Sequence, residues 1–154
     1  MSTGIKEIDP ALSQTDLTAA IRSLWRDVRI VASYWVPLLG GTARDWDKRT
    51  VYFDCRFPRH LSIGGKLVDV WRYVLIHECV ERALMDDLGL PYALAHTFAT
   101  TAERAAVEAD GHSWNDYTLA LRPWIKLARA QPKGVKLAPG LDDRPMRAGH
   151  VHAH

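Results

Sequence analysis

The spacing of hydrophobic positions in the N-terminal part of the chain predicts an amphipathic helix over residues 15–35. Apolar side chains recur there at steps of three and four residues, which is the spacing of one helix face. The positions are Leu17, Ile21, Leu24, Trp25, Val28 and Val31. Pro37 and the pair Gly40-Gly41 follow and end the pattern, because neither residue type continues a helix readily.

Residues 51–57 show a different periodicity, in which apolar and polar side chains alternate. A period of two residues is typical of a half-buried β-strand. Its apolar positions are Val51, Phe53, Cys55 and Phe57. Pro58 ends this strand, and residues 60–63, which precede Gly64-Gly65, are a candidate partner strand. The pattern therefore predicts a strand or short hairpin.

Three further helices are predicted in the second half of the chain. The first covers residues 66–87 and ends at Gly89, a residue type that favours helix C-termini. The second covers residues 91–110, and the third covers residues 114–130 with Pro123 inside it. The predicted fold is α+β and mainly helical: an N-terminal helix, a short strand or hairpin, then three helices.

The length of 154 residues suits one domain with its own core. The predicted boundaries are a flexible N-terminus over residues 1–14, a single globular domain over 15–130, and a flexible C-terminal tail over 131–154. The tail prediction comes from its content of Pro, Gly and charged residues.

Amino-acid composition and charge limit the binding partners and the cellular location that we expect for this protein. A net charge of +2, with Lys and Arg scattered among Asp and Glu, gives no basic surface for nucleic acid. No apolar stretch approaches the roughly 18–20 residues of a membrane span, and the N-terminus lacks the apolar core of a signal peptide. Cys55 and Cys79 are expected to be small buried residues. We therefore expect a cytoplasmic protein without nucleic-acid or membrane partners, and its oligomeric state stays open.

His77 and Glu81 lie four residues apart on the predicted helix 66–87, so both face the same side one turn apart. That side is otherwise apolar: it carries Val70, Tyr73, Val74, Leu84 and Leu88. An ionised carboxylate removed from water costs several kcal/mol unless a cation or hydrogen-bond donors compensate it, or its pKa rises. The buried Glu81 therefore requires a partner.

The following helix provides candidate partners. His96 and Glu103 are seven residues apart and share one stripe of that helix. The short turn between the two helices predicts antiparallel neighbours, which would bring both residues opposite His77 and Glu81. Arg82 and Arg104 lie off these inward stripes. A divalent metal ion held by His77, Glu81 and His96 is therefore expected, with Glu103 as a fourth ligand or as an acceptor for a histidine N–H.

The helical sequence His77-Glu78-x-x-Glu81, preceded by a strand and followed by a helix with a histidine, resembles the zincin-like metallopeptidases. Their His-Glu-x-x-His motif provides two zinc ligands and a general base, and a downstream residue provides a third ligand. The resemblance spans about 50 residues, from Val51 to Glu103, and implies zinc bound by His77, Glu81 and His96. Here Glu81 replaces the usual second histidine.

The resemblance also implies a mechanism. Zinc lowers the pKa of a bound water toward about 7, and Glu78 would accept the proton of that water and return it to the leaving group. The substrate class would be a peptide or small amide. Tyr92, Tyr117 and His112 are alternative candidates for stabilising the oxyanion.

The same residues are compatible with three other interpretations. A closed site would make the domain a non-catalytic, metal-stabilised structural or interaction module. Two histidines and a carboxylate can also hold non-haem iron for redox chemistry, so iron and manganese are alternatives to zinc. Finally, His77 and Glu81 could form an ordinary hydrogen-bonded pair on a helix without any metal.

Overall fold

The computed structural model describes residues 27–147, so the predicted flexible N-terminus (1–14) and residues 148–154 lie outside the described residues. The described chain is α+β and mainly helical, as predicted. Its strands are β1 (Arg29–Tyr34), β2 (Gly40–Thr42), β3 (Thr50–Asp54), β4 (His60–Ile63) and β5 (Lys66–Asp69). Its helices are α1 (Trp71–Leu88), α2 (Tyr92–Ala109), α3 (Trp114–Arg129) and α4 (Arg144–Arg147).

The prediction of an N-terminal helix is wrong over its described part, because Arg29–Tyr34 form strand β1. β1 pairs in parallel with β3, with Ile30 opposite Val51. Ile30 and Val31 are β-branched and suit a strand, and the partner strand fixes the extended backbone. Residues 15–26 of the predicted helix lie outside the described residues.

The predicted strand at residues 51–57 is β3, the centre of a three-stranded sheet in the order β1-β3-β2. All of its residues are buried, so both faces of the strand are covered and the expected half-buried alternation is absent. The strand ends at Asp54, where the N–H of Phe57 donates to the Asp54 carbonyl in a turn. Cys55 is consequently exposed, contrary to prediction, whereas Cys79 is buried as expected.

The strand predicted at residues 60–63 is confirmed as β4, but its partner is β5 rather than β3. Gly64 and Gly65 both have positive φ, which is the backbone of a tight two-residue hairpin. Residues 66–69, predicted as the start of a helix, therefore form the returning strand β5. Helix α1 begins only at Trp71.

The remaining helix predictions are confirmed. Gly89 ends α1 in a left-handed conformation, and its N–H donates to the Leu84 carbonyl. Pro91 precedes α2, which runs back along α1 as an antiparallel neighbour. This direction follows from the hydroxyl of Tyr73, near the start of α1, which donates to Asp110 at the end of α2.

The described part of the predicted tail packs against the sheet. Trp35 and Leu137 form a parallel bridge, Ala43 and Leu141 form an antiparallel one, and Ala138 is buried. We call residues 136–147 the C-terminal segment. Gly41 permits its close approach, because a Cβ at Gly41 would lie 2.8 Å from a methyl carbon of Leu141. The expectation of a flexible tail is therefore wrong for residues 136–147, because amino-acid composition gives no information about these tertiary contacts.

The main core joins the sheet, the β4-β5 hairpin and the three long helices. Its fully buried members include Phe53 of β3, Leu75 of α1, Val107 of α2 and Leu121 of α3. This arrangement places the inward stripes of α1 and α2 beside the buried face of α3. Within residues 27–147, no helix combines the length and apolar character that a bilayer crossing requires.

Candidate metal centre

Three side chains from α1 and α2 converge at the interface between these helices. His77 and Glu81 are buried one turn apart on α1, and His96 lies opposite them on α2. The Nε2 atom of His77 is 3.1 Å from Oε2 of Glu81 and 3.2 Å from Nδ1 of His96. Nδ1 of His96 is 2.9 Å from the same Glu81 oxygen. We call these three residues the His–Glu–His cluster, and their predicted juxtaposition is confirmed.

The cluster has the chemistry and spacing of a metal ligand set. Each residue contributes one atom with a lone pair, and the three atoms form a nearly equilateral triangle. A tetrahedral zinc ion with bonds of about 2.0–2.1 Å holds its ligand atoms about 3.3–3.4 Å apart. The observed separations of 2.9–3.2 Å are slightly shorter. Two nitrogens and one carboxylate oxygen therefore fit a zinc ion with only small side-chain adjustments.

Glu103 does not belong to this triangle of ligand atoms. Its Oε1 accepts a hydrogen bond from Nδ1 of His77 at 2.9 Å, and its Oε2 accepts one from the Tyr117 hydroxyl at 2.6 Å. Glu103 thus lies behind His77, on the opposite edge of the imidazole from the cluster. Of the two roles expected from the sequence, the geometry favours an acceptor for the histidine N–H over a fourth ligand.

The three residues considered for oxyanion stabilisation lie in different places. The Tyr117 hydroxyl binds Glu103, and the His112 ring packs against Tyr73. The Tyr92 hydroxyl is 3.3 Å from Nδ1 of His96, which is one of the three candidate ligand atoms. Tyr92 is therefore the member of this set that adjoins the His–Glu–His cluster.

Tyr117 was not recognised from the sequence as a partner of Glu103. The apolar period of α3 indicates that position 117 is buried together with Leu121 and Ile125. A buried tyrosine hydroxyl usually has a hydrogen-bond partner. This signal shows that a partner exists, but it does not identify Glu103, which lies on another helix.

The pKa values of the cluster reflect a competition between burial and hydrogen bonding. Burial opposes a charged imidazole, but hydrogen bonds to Glu103 and Glu81 raise the pKa of His77 well above its usual value. Burial likewise opposes an ionised Glu81, but hydrogen bonds from His77 and His96 lower the pKa of Glu81. The same hydrogen bonds therefore favour the charged forms of both His77 and Glu81.

Glu78, the predicted general base, lies next to this cluster in sequence and is half-buried on α1. Burial, followed by repulsion from Glu81, raises the pKa of Glu78 to about 8. The nearby His77 has a smaller opposing effect. A carboxyl group with such a pKa exchanges its proton near neutral pH, which is what a general acid–base group requires.

Arg82 follows Glu81 directly and is buried, but its guanidinium faces away from the cluster. It donates to the Thr42 hydroxyl and the Arg44 carbonyl, and it pairs with Asp86 at 2.6 Å. This buried cation therefore holds α1 against β2 and its following loop. These partners agree with the expectation that Arg82 lies off the inward stripe of α1.

No protein-family model, curated protein or solved structure matches this chain. The resemblance to zincin-like metallopeptidases stays a prediction from the sequence.

Proposed function

We propose that this protein is a metal-dependent hydrolase, with zinc as its ion and a peptide or small amide as its substrate. The observation that carries the proposal is the convergence of one ligand atom from each of His77, Glu81 and His96, which lie 2.9–3.2 Å apart between α1 and α2. Charge supports a divalent ion, because the two buried carboxylates of Glu81 and Glu103 would balance its charge of +2.

Catalytic zinc sites typically have three protein ligands and one bound water, and His77, Glu81 and His96 would be the three ligands here. The metal would supply acidification of that water and polarisation of the substrate carbonyl. Glu78, which follows the ligand His77 on α1, would accept the water proton and return it to the leaving nitrogen. Tyr92 would donate its hydroxyl proton in a hydrogen bond to the developing oxyanion.

A second candidate function is a metal-stabilised domain without catalysis. It is favoured by the deep burial of the site: Glu103 is completely buried, and its hydrogen bonds connect residues of α1, α2 and α3. An ion at this junction would hold the three helices together. The cytoplasmic location expected from the sequence stays a prediction under either function.

Metal analysis of purified protein tests metal binding, which both proposed functions require. The C-terminal His150, His152 and His154 should first be replaced by alanine, because clustered histidines bind metals weakly. We expect about one equivalent of zinc in this background, its loss in His77→Ala and His96→Ala, and its retention in the control His112→Ala. Absence of zinc, iron and manganese after incubation with each would contradict both functions.

Turnover separates the two functions. The zinc-loaded protein should be assayed against a peptide library and a panel of small amides, beside the metal-depleted protein and His96→Ala. Hydrolysis that depends on zinc and on His96 would support the hydrolase. Stoichiometric zinc without turnover of any member of these panels would favour the metal-stabilised domain.

A further inference from the structure

We infer that Tyr117 and Glu103 are positioning residues that set the affinity of the His–Glu–His cluster for its ion by fixing the tautomer of His77. This inference rests on the metal centre proposed above, but it does not require hydrolysis. We call these residues the Tyr117–Glu103 pair.

The Tyr117–Glu103 pair connects the imidazole of His77 on α1 to the two following helices, because Glu103 lies on α2 and Tyr117 on α3. Glu103 accepts from Nδ1 of His77 with one oxygen and from Tyr117 with the other, at 2.9 and 2.6 Å. Glu103 and Tyr117 are both completely buried. Water therefore does not compete for these hydrogen bonds, and the carboxylate is held by groups of the protein.

Glu103 can control the tautomer because an ionised carboxylate only accepts hydrogen bonds. A neutral imidazole carries one N–H, and Glu103 keeps this proton on Nδ1 of His77. The lone pair is then on Nε2, the atom that faces Glu81 and His96. With the opposite tautomer, the proton would occupy the position of the metal–ligand bond.

Tyr117 acts one step further from the ion. Its hydroxyl compensates and orients the buried carboxylate of Glu103 by a short hydrogen bond. Loss of that hydroxyl would leave Oε2 with one donor fewer in a site that excludes water. The carboxylate would then hold the His77 N–H less firmly, and the preference for Nδ1 protonation would weaken.

The chain contains a matched control for this hydroxyl. Tyr73 is also buried, its ring contacts that of Tyr117 edge-on at 5.5 Å, and its hydroxyl donates to a carboxylate at 2.6 Å. That carboxylate belongs to Asp110, at the C-terminal end of α2. Tyr73→Phe therefore removes the same group from the same aromatic cluster without removing a donor to Glu103.

Zinc affinity should be measured by competition with a chromophoric chelator in the full chain with alanines at the three C-terminal histidines. Replacing partners of metal-bound histidines typically costs about 10–100-fold in affinity, which we expect for Glu103→Gln. For Tyr117→Phe, one bond further away, we expect a loss of about 3–10-fold. Tyr73→Phe should stay within about twofold of the parent. Equal affinities of Tyr117→Phe and Tyr73→Phe would overturn the inference.

Nitrogen-15 NMR of the imidazoles provides a readout that a purely structural role would not change. In the metal-free parent protein, at a pH where His77 is neutral, the proton of His77 should be on Nδ1. Glu103→Gln should shift this signal toward mixed tautomers, and Tyr117→Phe should shift it partly, whereas Tyr73→Phe should not. An unchanged tautomer in Glu103→Gln would contradict the inference.

The outcomes distinguish this inference from the proposed metal centre. If the parent protein binds no zinc, the metal centre itself fails. If the parent binds zinc tightly and Tyr117→Phe binds it equally well, only the role of the Tyr117–Glu103 pair fails. Circular dichroism of each variant identifies loss of folding, and Tyr117→Phe, which removes a single oxygen atom, tests the inference even if Glu103→Gln does not fold.

Discussion

Glu78 and Glu81 show how two carboxylates of one helical turn acquire different properties. Burial disfavours the ionised form of Glu81, but this carboxylate accepts hydrogen bonds from His77 and His96, which lower its pKa. Burial and the charge of Glu81 instead raise the pKa of Glu78 to about 8. Separation of two pKa values by environment is how enzymes assign different roles to chemically identical groups. Under the proposed function, Glu81 would ligate the ion and Glu78 would transfer the proton.

This division of roles predicts the behaviour of Glu78→Gln. The amide has nearly the same shape but cannot accept the water proton, so we expect zinc content to persist while kcat falls by about 10²–10⁴-fold. The measurement is kcat for a zinc-dependent substrate together with metal content. Glu108→Gln, at an exposed position of α2, is the control and should leave both unchanged. Full activity in Glu78→Gln would show that another group transfers the proton.

At the level of elements, the sequence predicted the structure where the signal is local. Helices α2 and α3 lie close to their predicted bounds because each carries its own apolar period and terminal residues. Strands β1 and β5 were predicted as parts of helices, because their conformations depend on pairing with β3 and β4. Pairing between strands overrides weak local preferences for helix or strand. The hydrophobic periodicity of one segment does not show which other segment it pairs with.

In the candidate site, too, features determined by local sequence could be predicted and features determined by packing between helices could not. The meeting of His77, Glu81 and His96 could be predicted because helical spacing and the short turn at Gly89 determine it. The hydrogen bond between Glu103 and Tyr117 could not be predicted, since it depends on how α3 packs against α2. Local periodicity indicates which face of a helix is buried, but not which residue of another element meets it.

Asp142 links the C-terminal segment to helix α1 and carries a prediction about pH. Burial opposes its ionised form, but hydrogen bonds and charge from Arg144, together with the nearby Arg82, lower its pKa. A carboxyl with a lowered folded-state pKa stabilises the fold above its unfolded pKa of about 3.9, and this contribution is lost as pH falls through the folded-state pKa. Asp142→Asn should therefore be destabilising at pH 7 by about 1.5–3 kcal/mol.

Urea unfolding at a series of pH values from 3 to 7 measures this effect. The difference in unfolding free energy between the parent and Asp142→Asn should be largest near pH 7 and should narrow below about pH 4. Asp143→Asn is the matched control, because its carboxylate binds the exposed Arg147 and should contribute less than about 1 kcal/mol. A difference that does not change with pH would show that Asp142 stabilises the fold without its charge.

At the scale of the whole molecule, the buried polar side chains of the candidate site lie where α1, α2 and α3 meet. His77 comes from the first helix, His96 and Glu103 from the second, and Tyr117 from the third. In the unfolded chain these residues are separated by flexible segments and do not form a site. Metal binding to the folded state would therefore contribute to the free energy of folding.

Chelation should accordingly lower the thermal unfolding midpoint of the zinc-loaded protein. An ion at 100 times its dissociation constant stabilises the folded state by about 2.7 kcal/mol, which corresponds to roughly 5–10 °C for a chain of this size. Scanning calorimetry with and without a chelator should show this shift in the parent and in His112→Ala, but not in His77→Ala. Such a pattern would mean that the ion binds the folded cluster. An identical midpoint for the zinc-loaded and metal-free parent would mean that the ion does not prefer the folded state. The buried carboxylates of Glu81 and Glu103 would then be compensated by their hydrogen bonds with His77, His96 and Tyr117.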